Sequence, residues 1–160
     1  MLVVGAGPAG LSAALLFSKA GLSSTVIEKK AIGGPTTTSY DITEGYRISS
    51  ILKELEITPH KISSKSEWLS PNHQFLLDSN IQDYYFKRGP QNDSIENKLL
   101  KKLQKFKSTL FFKSTIKSIE KKENSICSVN VESDDVIKQI RPRYVLNIQK
   151  VHTRYVIIQA

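Results

Sequence analysis

The sequence predicts an α/β fold, and three observations predict it. The first 28 residues pass from an apolar run through a glycine-rich turn into a helical pattern and then into a second apolar run. A leucine-striped helical segment follows at 93–106, and from residue 108 the chain breaks into six short apolar runs separated by polar turns. Alternation of strand and helix at this spacing is what a parallel sheet with covering helices requires. With 160 residues, 39% hydrophobic and 24% charged, the chain is long enough to bury a core and too apolar to read as disordered.

Each element has a local reason. Leu2–Val4 is a short apolar strand that ends at glycine, as a buried parallel strand does. Pro8 to Ala20 reads as a helix, with Leu11, Ala14, Leu15 and Phe17 as packing candidates and proline near the start, where amides lack helical partners. Gly21-Leu22 has the form of a left-handed C-terminal cap with its hydrophobic contact. Thr25 to Glu28 is a second strand. Gly33-Gly34-Pro35 and the threonines after it form a loop, and Ile48, Ile51, Leu52 and Leu55 space a helix that Pro59 must end. Residues 63–88 read as short strands divided at Pro71-Asn72-His73 and at Asp78-Ser79-Asn80.

In the next helix, Asp93 and Glu96 have capping-box spacing, and Ile95, Leu99, Leu103 and Phe106 make its apolar stripe. Strands are expected at 110–112, 115–119, 126–132, 136–140, 144–148 and 155–158.

The chemistry sits in the opening turn, Gly5-x-Gly7-x-x-Gly10. Alone this spacing is weak evidence; here a strand precedes it, a helix and a strand follow, and an acid closes the second strand. Gly5 allows the sharp turn, Gly7 lets backbone amides approach a pyrophosphate, and Gly10 lets the helix pack on the sheet. The helix N-terminus adds unpaired N–H groups and partial positive charge. Glu28, 18 residues beyond Gly10, is placed to accept hydrogen bonds from ribose hydroxyls and would repel a 2′-phosphate, which argues against NADP. The unit is a Rossmann-like βαβ that binds a dinucleotide; FAD and NAD share the fingerprint.

Resemblance narrows this. "VVGAGPAGLSAALLFSKAG", then "VIEKK", then a Gly-Gly loop, resembles the N-terminus of the two-dinucleotide-binding-domain flavoproteins. Ser70-Pro71, Tyr84 to Arg88, the helix with Leu99, Leu100 and Leu103, and the final Tyr155 to Ala160 are similar to the geranylgeranyl reductase and aromatic-hydroxylase-like branch. The likeness is specific over 2–28 and looser beyond.

It implies FAD as cofactor, with Gly5, Ala6, Gly7, Pro8, Ala9 and Gly10 around the pyrophosphate, Glu28 on the adenosine ribose with Lys29 beside it, and the backbone at Ile116 near adenine. Gly33 and Gly34 either flank the flavin side or form an ordinary turn. Residues 1–62 and 89–160 would form the FAD-binding domain, incomplete at its C-terminus, with the strands of 63–88 belonging to a partial substrate domain; the fold would be a Rossmann-like βαβ domain with an inserted or appended β-rich segment. The cysteine loop common in geranylgeranyl reductases is absent, and an Asp-Gly expected after Ala160 is not reached.

The implied activity is an FAD-dependent oxidoreductase passing hydride through the flavin to or from an apolar, isoprenoid-type substrate. The alternatives are a flavin monooxygenase using NAD(P)H and oxygen, and a non-catalytic ADP-binding fragment. Flavin chemistry needs no protein nucleophile. The sequence offers no Gly-x-Ser-x-Gly elbow, no Cys-x-x-Cys, no metal-ligand spacing, and three isolated histidines, His60, His73 and His152. No catalytic residue is assigned. Asp134-Asp135 is a turn signal, since adjacent side chains in extended chain diverge.

The net charge of +8 comes from lysines mixed with acids and polar residues, which reads as a solvated surface and not a nucleic-acid site. The single Cys127 suits a reducing compartment, and with no convincing leader and no 20-residue apolar span the expected location is cytoplasmic. The expected partner is a small or lipid-like substrate, with peripheral membrane contact and oligomeric state left open.

Overall fold

The structure is a computed structural model, and it describes residues 1–31, 34–35, 37–44, 46–122, 125–147 and 156–158. In chain order the elements are β1 (Leu2–Val4), α1 (Pro8–Lys19), β2 (Ser24–Ile27), β3 (Ser39–Glu44), α2 (Tyr46–Leu55), β4 (Lys61–Ser70) and β5 (His73–Arg88). Then come α3 (Ile95–Leu103), β6 (Ser108–Phe111), β7 (Ser114–Lys122), β8 (Ser125–Ser133), β9 (Val136–Ile140), β10 (Val145–Asn147) and β11 (Val156–Ile158).

Three sheets result. The central one has the order β11-β10-β1-β2-β6, parallel except for β11 at its edge. The other two are antiparallel, β3-β5-β4 and β7-β8-β9. This is the expected Rossmann-like α/β fold with additional β-rich segments.

The central strands are buried on both faces, and their alternation recruits two different layers. Val3 and Val26 face the helices, in one core with Leu11, Ala14 and Leu15 of α1, Leu99 and Leu103 of α3, Leu52 and Leu55 of α2, and Tyr84 and Phe86 of β5. Leu2, Val4 and Ile27 face the opposite way, into a second core with Val129, Val131 and Val145. The buried face of α1 runs Gly10, Leu11, Ala14, Leu15, Ser18, the 3.6-residue stripe of a core-facing helix. Ser18 would be a polar fault in it, but its hydroxyl bonds that of Ser24 at 3.0 Å.

Helix ends follow their caps. Gly21 has φ +82°, and the bonds from Leu22 N–H to Phe17 O (3.0 Å) and Gly21 N–H to Ser18 O (3.1 Å) close α1 as a Schellman motif. Leu22 remains 49% exposed, so the expected hydrophobic contact contributes little. Helix α2 ends with the same bond pattern, this time with Glu56 in the left-handed position at φ 56°. The Asp134-Asp135 turn has both residues left-handed (φ 48° and 61°), as a two-residue type I′ hairpin between β8 and β9 demands.

Three local expectations are corrected. Helix α3 is capped by Ser94, whose hydroxyl accepts from Asn97 N–H, and not by Asp93; Glu96 turns inward instead of closing a capping box. At Asp78-Ser79-Asn80 the chain stays extended within β5 instead of dividing into two strands, and the expected break shows only as an irregularity, where the register with β4 shifts between Lys65↔Asp78 and Ser63↔Asp83. The segment after the threonine loop contains a strand, β3, in register with β5 from Ser39↔Arg88 to Glu44↔Asp83. The side chain of Cys127 and the residues His152, Gln159 and Ala160 lie outside what is described. No described helix is long and apolar enough to cross a membrane.

Much of the lysine surface is tethered. Lys98 Nζ donates to Thr58 O (3.1 Å), while Lys19 and Lys102 both reach Glu56 at 2.9 Å, linking the end of α2 to α1 and α3. Hydrogen bonds from Lys102 and Lys19 hold the Glu56 carboxyl at about 2, well below its ordinary value of 4.5. Because the folded value is depressed, this contribution is complete above about pH 4.5 and is lost as pH falls toward 2. Glu56→Gln should therefore destabilise slightly at neutral pH and converge with the parent near pH 2, read by denaturant titration at each pH. Leu99→Ala, at a fully buried core position, should cost about 2–5 kcal/mol in the same assay.

Candidate functional site

The carboxyl ends of parallel strands are where α/β sheets take ligands. Here β1 and β2 end side by side at Val4 and Ile27, and Gly5 N–H donates to Ile27 O at 2.8 Å, fixing the turn to its neighbour. Gly5 has φ +101°, a conformation that disfavours any side chain. The turn then enters α1 with Gly7 as N-cap in extended conformation, and Leu11 N–H closes the first helical bond on Gly7 O at 3.0 Å.

Two of the glycines have distinct steric roles. A Cβ on Gly10 would lie 3.0 Å from the Gly5 carbonyl carbon and collide with its oxygen, so this position must be bare for α1 to rest on the turn. A Cβ on Gly7 would meet nothing within 4 Å. Gly7 is therefore not needed by the packing of the described residues; its bareness leaves the helix N-terminus open. Among the described residues no side chain caps that end, and the first-turn amides have no partner within the helix. Pro8 supplies none, which leaves Ala9 and Gly10 as first-turn donors.

Glu28 is held by its backbone between strands, its N–H donating to Phe111 O (2.8 Å) and its O accepting from Ser114 N–H (2.9 Å). Its side chain turns back over the glycine turn: Oε2 accepts from Ala6 N–H at 2.7 Å and Oε1 from Lys30 N–H at 2.8 Å. Each carboxylate oxygen keeps a further acceptor site.

Beside it opens a cavity of about 370 Å³ lined by Gly5, Glu28, Lys29, Ser114, Thr115 and Ile116 among others. Gly5, Glu28, Lys29 and Ile116 are thus brought together, Ala6 is joined to them through Glu28, and Gly7, Pro8, Ala9 and Gly10 lead away along α1. Ser114 and Thr115, at the start of β7, were not marked as site residues by any sequence signal, although a strand was expected from 115; the left-handed Lys113 (φ 49°) turns the chain from β6 into β7 and brings them here. Gly34 lies elsewhere, against Glu96, and Gly33 is outside the described residues.

A larger cleft of about 540 Å³ opens at the opposite, amino ends of the strands, beside Leu22, Arg141 and Tyr144. It contains none of the glycine turn, and the helix end nearest it is the C-terminus of α1. The smaller cavity is the one that Glu28 and the start of the glycine turn line. Among the described residues no group of three or more His, Cys, Asp or Glu could hold a metal ion. His60 packs against Tyr40 and His73 stacks on Phe75, both away from the glycine turn.

With this geometry in place, comparison decides between the two dinucleotides. A family model described as FAD binding domain matches residues 1–147. The chain belongs to the FAD-binding domain family. Its residues fit that cofactor: an open glycine face for phosphates, a carboxylate with spare acceptor sites for ribose hydroxyls, and a cavity for the base.

Among solved structures, a geranylgeranyl bacteriochlorophyll reductase-like protein from Thermoplasma acidophilum is 22% identical with TM-score 0.66, covering 91% of this chain and 38% of its own. The myxobacterial chondrochloren halogenase, an FAD-dependent halogenase, is 14% identical with TM-score 0.72, covering 96% and 37%. A probable FAD-dependent monooxygenase from Pseudomonas aeruginosa is 17% identical with TM-score 0.65, covering 90% and 40%. The FAD-binding domain described here thus shares their fold and spans about two fifths of their length. No curated protein gives a significant match.

The two glycines should respond differently to a methyl group. Gly7→Ala should leave thermal stability within about 2 °C of the parent yet weaken FAD binding about tenfold or more, because only the ligand meets the new Cβ. Gly10→Ala should lower both stability and binding. Thermal unfolding and equilibrium titration with FAD separate the cases.

Proposed function

We propose that this chain is the cofactor-binding portion of an FAD-dependent oxidoreductase, and that the residues named above hold the ADP half of FAD. Gly7, Ala9 and Gly10 present backbone amides to the pyrophosphate at the N-terminus of α1, where the helix dipole favours negative charge. Glu28 accepts from the adenosine ribose on the oxygens that already receive Ala6 and Lys30, so one side chain both shapes the turn and reads the sugar. Lys29 stands at the mouth of the cavity, and the base lies along β7 at Ser114 to Ile116. The single observation that carries the reading is the open face of Gly7 beside a Gly10 that packing forbids to change.

Bound FAD would supply two-electron chemistry that no protein nucleophile need assist. The chain's own part is binding and orientation. In this reading residues 1–62 and 89–160 form the cofactor domain, and strands from 63 to 88 belong to the substrate side. The substrate class favoured by the resemblance is apolar and isoprenoid-like, reduced or oxidised by hydride transfer. The monooxygenase likeness supports a second reading, in which NAD(P)H is the reductant and oxygen a substrate.

The purified chain should carry or take up FAD and show the visible absorption bands of a bound flavin. A colourless protein that binds ADP-ribose but not FAD would replace the oxidoreductase reading with a nucleotide-binding module. NADH consumption coupled to a hydroxylated product would select the monooxygenase. ADP should bind more tightly than its 2′-phosphorylated form, by about tenfold or more, and Glu28→Ala should narrow that gap while weakening ADP itself; isothermal titration of both ligands against both proteins measures it.

A further inference from the structure

One buried cluster takes no part in the site just described. Arg88, at the end of β5, donates from Nε to Glu96 and from Nη1 to Asp41 of β3. The Glu96 side chain is only 2% exposed, and its second oxygen, Oε2, is buried with no hydrogen-bond partner among the described residues. A buried carboxylate is costly, and what offsets the cost here is its ion pair with Arg88.

What it touches is the connection from β2 to β3. Gly34, at φ +84°, sits so close that an added Cβ would lie 2.7 Å from Glu96 Cδ. Two further contacts fasten the same connection: Gln91 Nε2 donates to Thr38 Oγ1, and Gly89, at φ +117°, would bring a Cβ within 2.7 Å of Thr37 O. Gln91 is itself fixed by Asn97 Nδ2, which donates to its carbonyl at 2.9 Å.

The topology places this cluster on the same edge as the glycine turn. Helix α3 leads into β6, which runs parallel to β2, so the N-terminus of α3 lies at the carboxyl ends of the strands, as that of α1 does. The cavity beside Glu28 is on the β7 side of the sheet, whereas α1 and α3 cover the other side. A dinucleotide with its base in that cavity and its phosphates over Gly7 sends its second half toward the helical side.

We propose that Glu96, through Arg88 and Gly34, is a positioning residue for the flavin half of the cofactor: it clamps the β2–β3 connection against the start of α3, where that half must pass. This rests on the FAD reading above. Glu96 need not touch the cofactor; with Gly89 and Gln91 it fixes the backbone at Gly34, Thr37 and Thr38, on the side toward which a ligand leaving Gly7 would run.

Because ADP lacks the flavin half, the full chain can be titrated with FAD and with ADP, in the parent and in Glu96→Ala, Glu96→Gln and Gly34→Ala. Glu96→Ala and Gly34→Ala should each weaken FAD binding about tenfold while ADP binding stays within about twofold. Glu96→Gln, which keeps an acceptor for Arg88 Nε, should hold FAD within about threefold of the parent. Equal losses for FAD and ADP, or no loss for either, would overturn the clamp and leave the FAD reading standing. A parent chain that binds neither ligand overturns both. Should Glu96→Ala fail to fold by circular dichroism, Gly34→Ala, which strips no buried group, decides by the same ratio.

Discussion

Between Gly10 and the carbonyl of Gly5 there is no room for a methyl group, and most of the architecture follows from that closeness. It seats α1 directly on the end of β1, so the helix N-terminus projects over the strand ends and not beyond them. It also holds the turn low enough for the Glu28 carboxylate, arriving on the next strand, to receive Ala6 N–H. Gly7, one turn of chain away, is then left facing open space. A donor-rich edge with a carboxylate beside it is the consequence of one tight contact, made possible by the absence of a side chain at Gly10.

The same edge is shared by two layers that never mix. Strands of three or four residues are too short to carry a one-sided core, so Leu2, Val4 and Ile27 serve the β7–β9 layer while Val3 and Val26 serve the helices. The cavity beside Glu28 lies at the seam, with β1 and β2 giving one wall and β7 another. On the helical side, surface charge does structural work: Glu56 ends α2 in a left-handed turn and ties it to Lys19 and Lys102. Several lysines behind the charge of +8 are thereby accounted for as tethers between elements, a use that needs no polyanion.

How much of this was legible depended on how far apart the partners are in sequence. The β1-α1-β2 unit could be read because its determinants are local: a glycine spacing, a proline at the helix start, Gly21 after its end, an acid at the close of the second strand. The three-residue spacing of Asp93 and Glu96 imitates a local cap, but Glu96 is claimed by Arg88 across the Pro90 turn, and Ser94 takes the capping role instead. Asp78-Ser79-Asn80 has turn composition, and what it produces is a shift of register with β4 inside one extended strand, because the pairing resumes at Asp83 with β4 and β3 together. Ile116 was placed by resemblance alone. Thr115 was expected only as the start of a strand, and nothing in the sequence put Ser114 or Thr115 at the site, since what holds them beside Glu28 is a backbone bond from Ser114 N–H to Glu28 O.

A site assembled from backbone amides, three glycines and one carboxylate asks little of the remaining sequence. That is a physical reason why proteins sharing only 14–22% of their residues with this chain can share its fold over nine tenths of its length. Reductase, halogenase and monooxygenase then differ in side chains that the cofactor edge does not constrain. In this chain the β3-β5-β4 sheet offers such side chains. Tyr84 and Phe86 anchor it to the helical core, while Tyr40 and Ile42 stand more than half exposed on its other face. An antiparallel sheet with one face buried and the other apolar and exposed is fixed by its core and free in what it presents. The alternation along β5 builds this in: Tyr84 and Phe86 hold the sheet to the helical core, and the residues alternating with them turn toward the opposite face, where a change of side chain leaves the glycine turn undisturbed.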